Sequence, residues 1–283
     1  MDRITIVTDS NSGITQQEAK EMGIFVVPMP FAIDEELFYE EISITREEFY
    51  EKQEVDAEIF TSQPAVADIM DLWTEILKEF DYILHIPMSS GLSSSCQTAL
   101  MLAEDFDNRV RVIDNHRISV TLKQSIFDGM KMIEEGRSID EVEKTLIKER
   151  LEASIYIMVD TLKYLKKGGR VTAAGAAIGT VLKIKPVLQI QGSKLDAFAK
   201  ARGRKNGKKI MLDAIEKDLH GRFRGQEVHM ALAHTCSEEV AKEWQEEVEK
   251  RFPGYPLIMD PLSLSVTSHI GQGALAIACS KVI

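Results

Sequence analysis

Residues 89–95 read Ser-Ser-Gly-Leu-Ser-Ser-Ser, five hydroxyls in seven positions, directly after the apolar run Tyr82-Ile-Leu-His-Ile-Pro-Met88. Hydroxyls at this density can offer several hydrogen bonds to one ligand. If 82–86 is a buried parallel strand and Gln97 opens the following helix, the serines stand at the carboxyl edge of a sheet. Free helix N–H groups converge there, and open α/β sheets bind ligands at that edge. Serine is also favoured at N-caps and in solvated loops. One serine would need no other reason; five favour a site.

Three further groups could join it. Thr8-Asp9-Ser10 follows the first strand, so parallel strands put Asp9 on the same edge, as a base or as an acceptor that orders the loop. Thr61-Ser62-Gln63-Pro64 adds two hydroxyls and unpaired N–H groups, although Ser62 or Gln63 could simply cap the helix that follows, with Pro64 in its first turn. His269 lies in Ser265-Val-Thr-Ser-His-Ile-Gly-Gln-Gly273, where Gly271 and Gly273 permit close backbone approach to a ligand; a lone histidine is as readily structural.

The elements that must position these groups alternate regularly. Strands are predicted at 4–7, 24–27, 82–86 and 110–113, and helices at 65–79, 97–105 and 118–135. Such alternation indicates a largely parallel sheet with helices on both faces. Capping boxes Thr15-x-x-Glu18, Thr45-x-x-Glu48 and Ser138-x-x-Glu141 each open a helix. Phe31–Tyr39 interrupts the alternation as a hairpin or covering loop. A second α/β unit follows, with strands at 154–159, 186–190, 195–199, 227–233 and 256–259 and a last apolar stretch at 274–279. Its helices are expected over the Gly/Ala-rich 171–179, 207–219 and 238–251. The domains expected are 1–151 and 152–283.

Composition excludes several classes. No apolar stretch is long enough to cross a bilayer, and Met1-Asp-Arg-Ile-Thr-Ile-Val enters a strand pattern rather than a signal peptide, so a cytoplasmic protein without stable membrane insertion is expected. The three cysteines, Cys96, Cys236 and Cys279, are odd in number and widely spaced, which fits neither a disulfide framework nor a zinc site. Gly168-Gly169-Arg170 and Gly271-x-Gly273 do not make a dinucleotide fingerprint, and no Walker lysine is present. No cofactor and no metal is expected.

The net charge of −11 is unevenly spread. Between Lys163 and Lys209 there are 13 Lys or Arg against the single acid Asp196, net +12, leaving −23 on the rest of the chain. Such a run is a solvated cationic surface, or a patch that docks an acidic partner or a phosphate.

Taken in order, Thr8-Asp9-Ser10, Thr61-Ser62-Gln63-Pro64, Ser89-Ser90-Gly91-Leu92-Ser93, Lys166-Lys167-Gly168-Gly169-Arg170 and His269-x-Gly271-x-Gly273 make the chain resemble the DegV family over nearly its whole length. The resemblance implies a two-domain DegV-like α/β fold, with an N-terminal Rossmann-like sheet, a C-terminal α/β domain and a lipid tunnel between or beside them. It implies a binding protein, not an enzyme. A long-chain fatty acid would be its ligand, and a separate fatty acid kinase catalytic subunit its partner in bacterial acyl-phosphate formation. Thr61, Ser93 and His269, with Ser62, Ser94 and Gly271, would hold the carboxylate. Arg170 and Arg202 would face the kinase. Two departures flank the expected carboxylate site: Ser94-Ser95-Cys96 stands where the family usually has Gly-Thr-Tyr, and Gln272 where it usually has Pro.

Two other readings compete. Ser93, His269 and Asp9 could serve as nucleophile, base and orienting acid of a hydrolase acting on a small ester or lipid, but the Gly-x-Ser-x-Gly elbow is missing. Nucleic-acid binding would rest on the basic segment alone. Tyr164 and Phe198 are that segment's only aromatics, and the rest of the chain is acidic.

Overall fold

The computed structural model describes residues 2–55, 57–170, 172 and 184–283. The chain divides into two compact units, Met1–Leu151 and Glu152–Ile283.

The first unit is built on a four-stranded parallel sheet, β1 (Ile4–Asp9), β2 (Phe25–Val27), β6 (Tyr82–Ile86) and β7 (Val110–Val112), in the order β2-β1-β6-β7. The pleat sends alternate side chains to opposite faces. Val7 and Ile83 therefore pack with Val27, Val110 and Val112 against Ile69, Trp73 and Ile76 of α3 (Val66–Ile76) and Ala99 of α4 (Ser95–Ala103). Ile6 and Ile86 turn to the other face. There Gly129 of α5 (Val120–Glu134) lets the helix approach so closely that a Cβ would stand 3.2 Å from Ile6 and 3.7 Å from Leu146 of α6 (Ile139–Lys148). Helices thus cover both faces, and the near-continuous apolar strands follow from that burial.

All three capping boxes form. Thr15 opens α1 (Gln16–Met22), Thr45 opens α2 (Arg46–Glu54) and Ser138 opens α6, each accepting from the N3 amide while the N3 glutamate accepts from the cap. Phe31–Tyr39 is a hairpin: β3 (Pro30–Ile33) pairs with β4 (Glu36–Tyr39) on one side and with β5 (Ile59–Thr61) on the other, making a separate antiparallel sheet.

The second unit carries a six-stranded mixed sheet of β8 (Ala153–Met158), β9 (Ile184–Ile190), β10 (Asp196–Arg202), β11 (Val228–His234), β12 (Leu257–Pro261) and β13 (Leu275–Lys281). Its order is β10-β9-β8-β13-β11-β12, and among the described residues β11–β12 is its only parallel pair. Its helices among the described residues are α7 (Lys163–Gly168), α8 (Arg204–His220), α9 (Glu238–Arg251) and α10 (Leu264–Ile270). Met211 and Ile215 of α8 and Trp244 and Val248 of α9 pack with Met158, Met230, Leu232 and Ile277 in one core. The Trp244 indole N–H donates to the Ala276 carbonyl at 3.1 Å, which satisfies the one polar atom of that buried ring.

Several expectations change. The helix after the serine loop begins at Ser95 with Ser94 as its cap, two residues before Gln97. Pro64 precedes α3 rather than sitting in its first turn; Ala65 is the N-cap and no side chain caps that end, so neither Ser62 nor Gln63 does so. His269 belongs to α10, a helix the serine- and threonine-rich sequence conceals. The expected Gly/Ala-rich helix at 171–179 lies outside the described residues apart from Thr172. Among the described residues, no helix is long and apolar enough to cross a membrane.

Candidate functional site

In the first unit, the loop after β6 is braced by two carboxylates. Asp9 at the end of β1 accepts from the Met88 amide through Oδ2 at 2.7 Å and from the Asn11 amide through Oδ1 at 3.0 Å. It acts as an acceptor that orders the loop. Burial pushes its pKa up to about 6, against the pull of those two amides. Asp114, just beyond β7, takes the Ser90 amide on Oδ1 at 3.2 Å and the Ser90 hydroxyl on Oδ2. The Cys96 thiol sits under the same carboxylates, and burial with their negative charge raises its pKa to about 12, so it stays protonated.

The loop then coils on itself. The Ser89 carbonyl accepts from the Leu92 amide at 3.0 Å and the Ser93 amide at 3.2 Å. Ser93 Oγ accepts from the Ser95 amide at 3.2 Å and from the Ser95 hydroxyl at 3.0 Å. Ser94 donates its hydroxyl to Gln63 Oε1 at 3.2 Å, and Thr98 donates to the same oxygen at 2.9 Å.

Gln63 thus ties the segment after β5 to the start of α4 and brings the Thr61–Ser62 pair towards the serine loop. The expected unpaired N–H groups there are not all available. The Ser62 amide donates to the Pro30 carbonyl at 3.2 Å, and Thr61 is registered against Phe31 in the β3–β5 ladder.

In the second unit, β8 and β11 end where β13 begins, so Asp160, Thr235 and the Gly271–Ala274 turn meet at one end of the sheet. Met158 and His234 are both registered with Leu275. The Thr235 hydroxyl donates to the Gly271 carbonyl at 2.7 Å and accepts from the Ala274 amide at 2.9 Å. Arg204 donates to the Gly273 carbonyl at 2.9 Å and to Asp160 Oδ1 at 3.1 Å, and Lys185 reaches that same oxygen at 2.9 Å.

A Cβ on Gly271, whose φ is +78°, would stand 2.6 Å from the Tyr164 ring, and one on Gly273, at φ +86°, 2.7 Å from Asp160 Oδ2. They admit the protein's own side chains. Gly168, at the end of α7, does the same for His269, whose imidazole occupies the place of the missing Cβ. Burial and the neighbouring Arg170 charge lower the His269 pKa to about 4, so the ring is neutral at physiological pH. Arg170 itself donates to the Gly168 carbonyl at 2.6 Å. Arg202, on the last residue of β10, is exposed and registered with Ile184.

Thr61, Ser62, Ser93 and Ser94 therefore belong to one polar cluster, in the first unit, and His269, Gly271 and Arg170 to another, in the second. Sequence reasoning assigned no site role to Asp114, Tyr164 or Arg204. Asp114 had a signal: it follows β7 almost as Asp9 ends β1. Among the described residues, no group of His, Cys, Asp and Glu could hold a metal.

A four-stranded parallel sheet with a hydroxyl-crowded loop at its edge, followed in the chain by a unit with a six-stranded mixed sheet, defines a two-unit α/β protein. The DegV family model, described as one of uncharacterised proteins, matches residues 3–282, and the chain belongs to that family. A DegV domain-containing protein of Clostridium acetobutylicum is 30% identical over 281 residues, 97% of this chain and 96% of that one. The solved structure described as fatty acid binding of a DegV family protein from Thermus thermophilus superposes with a TM-score of 0.88 at 29% identity, covering 99% of both chains. DegV from Bacillus subtilis, described as a fatty acid binding protein, gives 0.88 at 27% identity over 99% of this chain and 100% of that one.

Proposed function

We propose that this protein binds a long-chain fatty acid, with its tail in an apolar tunnel and its carboxylate on hydroxyl and backbone donors, and presents it to a separate kinase subunit for acyl-phosphate formation. The observation that carries this reading is full-length similarity to two fatty-acid-binding DegV structures, together with a serine loop held rigid by Asp9 and Asp114. Burying about 14 methylenes at about 0.8 kcal/mol each gives a gross gain on the order of 11 kcal/mol before ordering costs. The head opposes it, because a carboxylate taken out of water costs several kcal/mol unless it is hydrogen-bonded.

The donors assigned to that head are Ser93 and Thr61, then Ser62 and Ser94, in the first unit, and His269 and Gly271 in the second. Ser94 ranks behind Ser93 because its proton is already given to Gln63. A neutral His269 can donate one N–H without adding a charge for the acid to neutralise. Arg170 and Arg202, in the segment of net +12, are the docking residues for the kinase.

The hydrolase reading fares worse. Both oxygens of Asp9 are engaged by loop amides, which removes it as the orienter of an imidazole, and a histidine with a pKa of about 4 is a weak base. Mass spectrometry of an organic extract of the folded protein should find a stoichiometric acyl chain. Finding none, with labelled fatty acid also failing to bind, would rule the proposal out.

A further inference from the structure

The serines of the 89–95 loop are not equivalent as donors. The Ser90 proton goes to Asp114 and the Ser94 proton to Gln63. Ser89 is fully buried and accepts from the Gly91 amide at 3.2 Å. Ser95 is 5% exposed, and among the described residues its hydroxyl meets one acceptor, Ser93 Oγ, at 3.0 Å.

That geometry fixes a direction. The Ser95 amide can only donate, and it already points at Ser93 Oγ at 3.2 Å. A buried hydroxyl proton left without an acceptor costs about 1–3 kcal/mol. The lower-energy arrangement therefore has Ser95 giving both its N–H and its O–H to Ser93. Both lone-pair directions of Ser93 Oγ are then filled, and its own proton turns outward from a half-exposed residue. Two donors on one hydroxyl oxygen also polarise it and strengthen it as a donor in turn.

We propose that Ser95 is a positioning residue for the anion-binding hydroxyl: it holds Ser93 as a pure donor, so the site selects a carboxylate over an uncharged head on the same chain. The proposal rests on the fatty-acid reading above. Ser95 does not touch the ligand; it acts through Ser93.

The test compares palmitate with hexadecanol, which has the same tail and no charge, on the full chain as wild type, Ser93→Ala, Ser95→Ala, Ser95→Cys and Ser95→Thr. Ser95→Ala should bind palmitate about tenfold more weakly, with hexadecanol moved less than about twofold. Ser95→Thr, which keeps the hydroxyl, should restore palmitate binding. Ser95→Cys keeps the volume with a weak donor and should follow Ser95→Ala, which covers the case in which the alanine variant does not fold. Palmitate binding unchanged in both Ser95→Ala and Ser95→Cys, equal loss of both ligands, or no rescue by threonine would each overturn the proposal. If Ser93→Ala loses palmitate while the Ser95 variants do not, the positioning role alone falls. If the wild type retains neither ligand, the fatty-acid reading falls and takes this one with it.

Discussion

Asp9 and Met88 lie 79 positions apart in the chain, yet a carboxylate oxygen of the first accepts the backbone N–H of the second at 2.7 Å in a fully buried setting. The bond joins the end of β1 to the entrance of the serine loop. It replaces a water contact that no solvent molecule could make there, and it sets where Ser89–Ser95 begin. Asn11 completes the clasp, donating its side-chain amide to Met88 Sδ at 2.7 Å.

This clasp predicts a pH signature. Burial raises the Asp9 pKa from 3.8 to about 6, so the native state holds a proton that the unfolded chain releases between those values. The contribution of Asp9 to stability is therefore fully present below about pH 4 and falls as pH rises through 6, by on the order of 2–3 kcal/mol. His85, lowered to about 3 by burial, and His269, lowered to about 4, act with the opposite sign, losing stability as pH falls below 6.5. Urea denaturation of wild type and Asp9→Asn from pH 4 to 7 isolates the Asp9 part as a difference. That difference should change across pH 4–6, with wild type relatively more stable at the acid end; a flat difference would refute the assignment.

Gly168→Ala tests how tightly the histidine is seated. The new methyl would occupy the position of the His269 ring, at the helix end where Arg170 also anchors. Overpacking of this kind costs about 1–3 kcal/mol, and the ring can escape only by leaving its place. The expected outcome is a lower thermal midpoint together with weaker fatty-acid retention. His269→Ala in the Gly168→Ala background should recover much of the stability but not the retention, as read by calorimetry and a lipid-binding titration.

What the sequence made legible was local. Thr15, Thr45 and Ser138 each carry their glutamate three residues on, so their helices could be placed from four residues apiece. The parallel sheet followed from apolar runs such as Ile4–Val7 and Tyr82–Ile86, because burial on both faces leaves no alternation to read. Helix α10 was missed because Leu264-Ser-Val-Thr-Ser-His-Ile270 has no apolar period and mostly modest helix formers; Ser263, accepting from the Val266 amide, was its only signal. The serine loop was found as a composition, whereas its donor directions depend on Gln63, 31 residues from Ser94, and Asp114, 24 from Ser90. No spacing rule reports which hydroxyl gives its proton to which oxygen.

Arg202→Ala should separate binding from presentation. Its side chain is exposed at the end of β10, registered with Ile184, whereas Arg204 and Lys185 reach Asp160 and Arg204 pins the Gly273 turn. Removing it should leave fatty-acid affinity within about twofold, since an exposed surface charge contributes little to a buried site. With a fatty acid kinase subunit supplied, acyl-phosphate formation should slow several-fold and become less sensitive to salt. Equal loss of binding and turnover would contradict a docking role. Arg204→Ala is the contrasting variant: it frees the Gly273 carbonyl and should lower stability first.

Ser93→Ala and Ser94→Ala differ by one position and should differ in effect. Ser93→Ala removes the outward proton proposed to hold the carboxylate, so retention of the acid should weaken by about 1–3 kcal/mol. Ser94 loses a proton already held by Gln63, whose Oε1 keeps the Thr98 hydroxyl at 2.9 Å. Its removal should change affinity by less than about 0.5 kcal/mol, in line with a partly exposed hydrogen bond that water can replace. A titration of labelled fatty acid against both variants decides it: equal losses would mean that the two hydroxyls share the head, and a larger loss at Ser94 would reverse the donor order read from the loop.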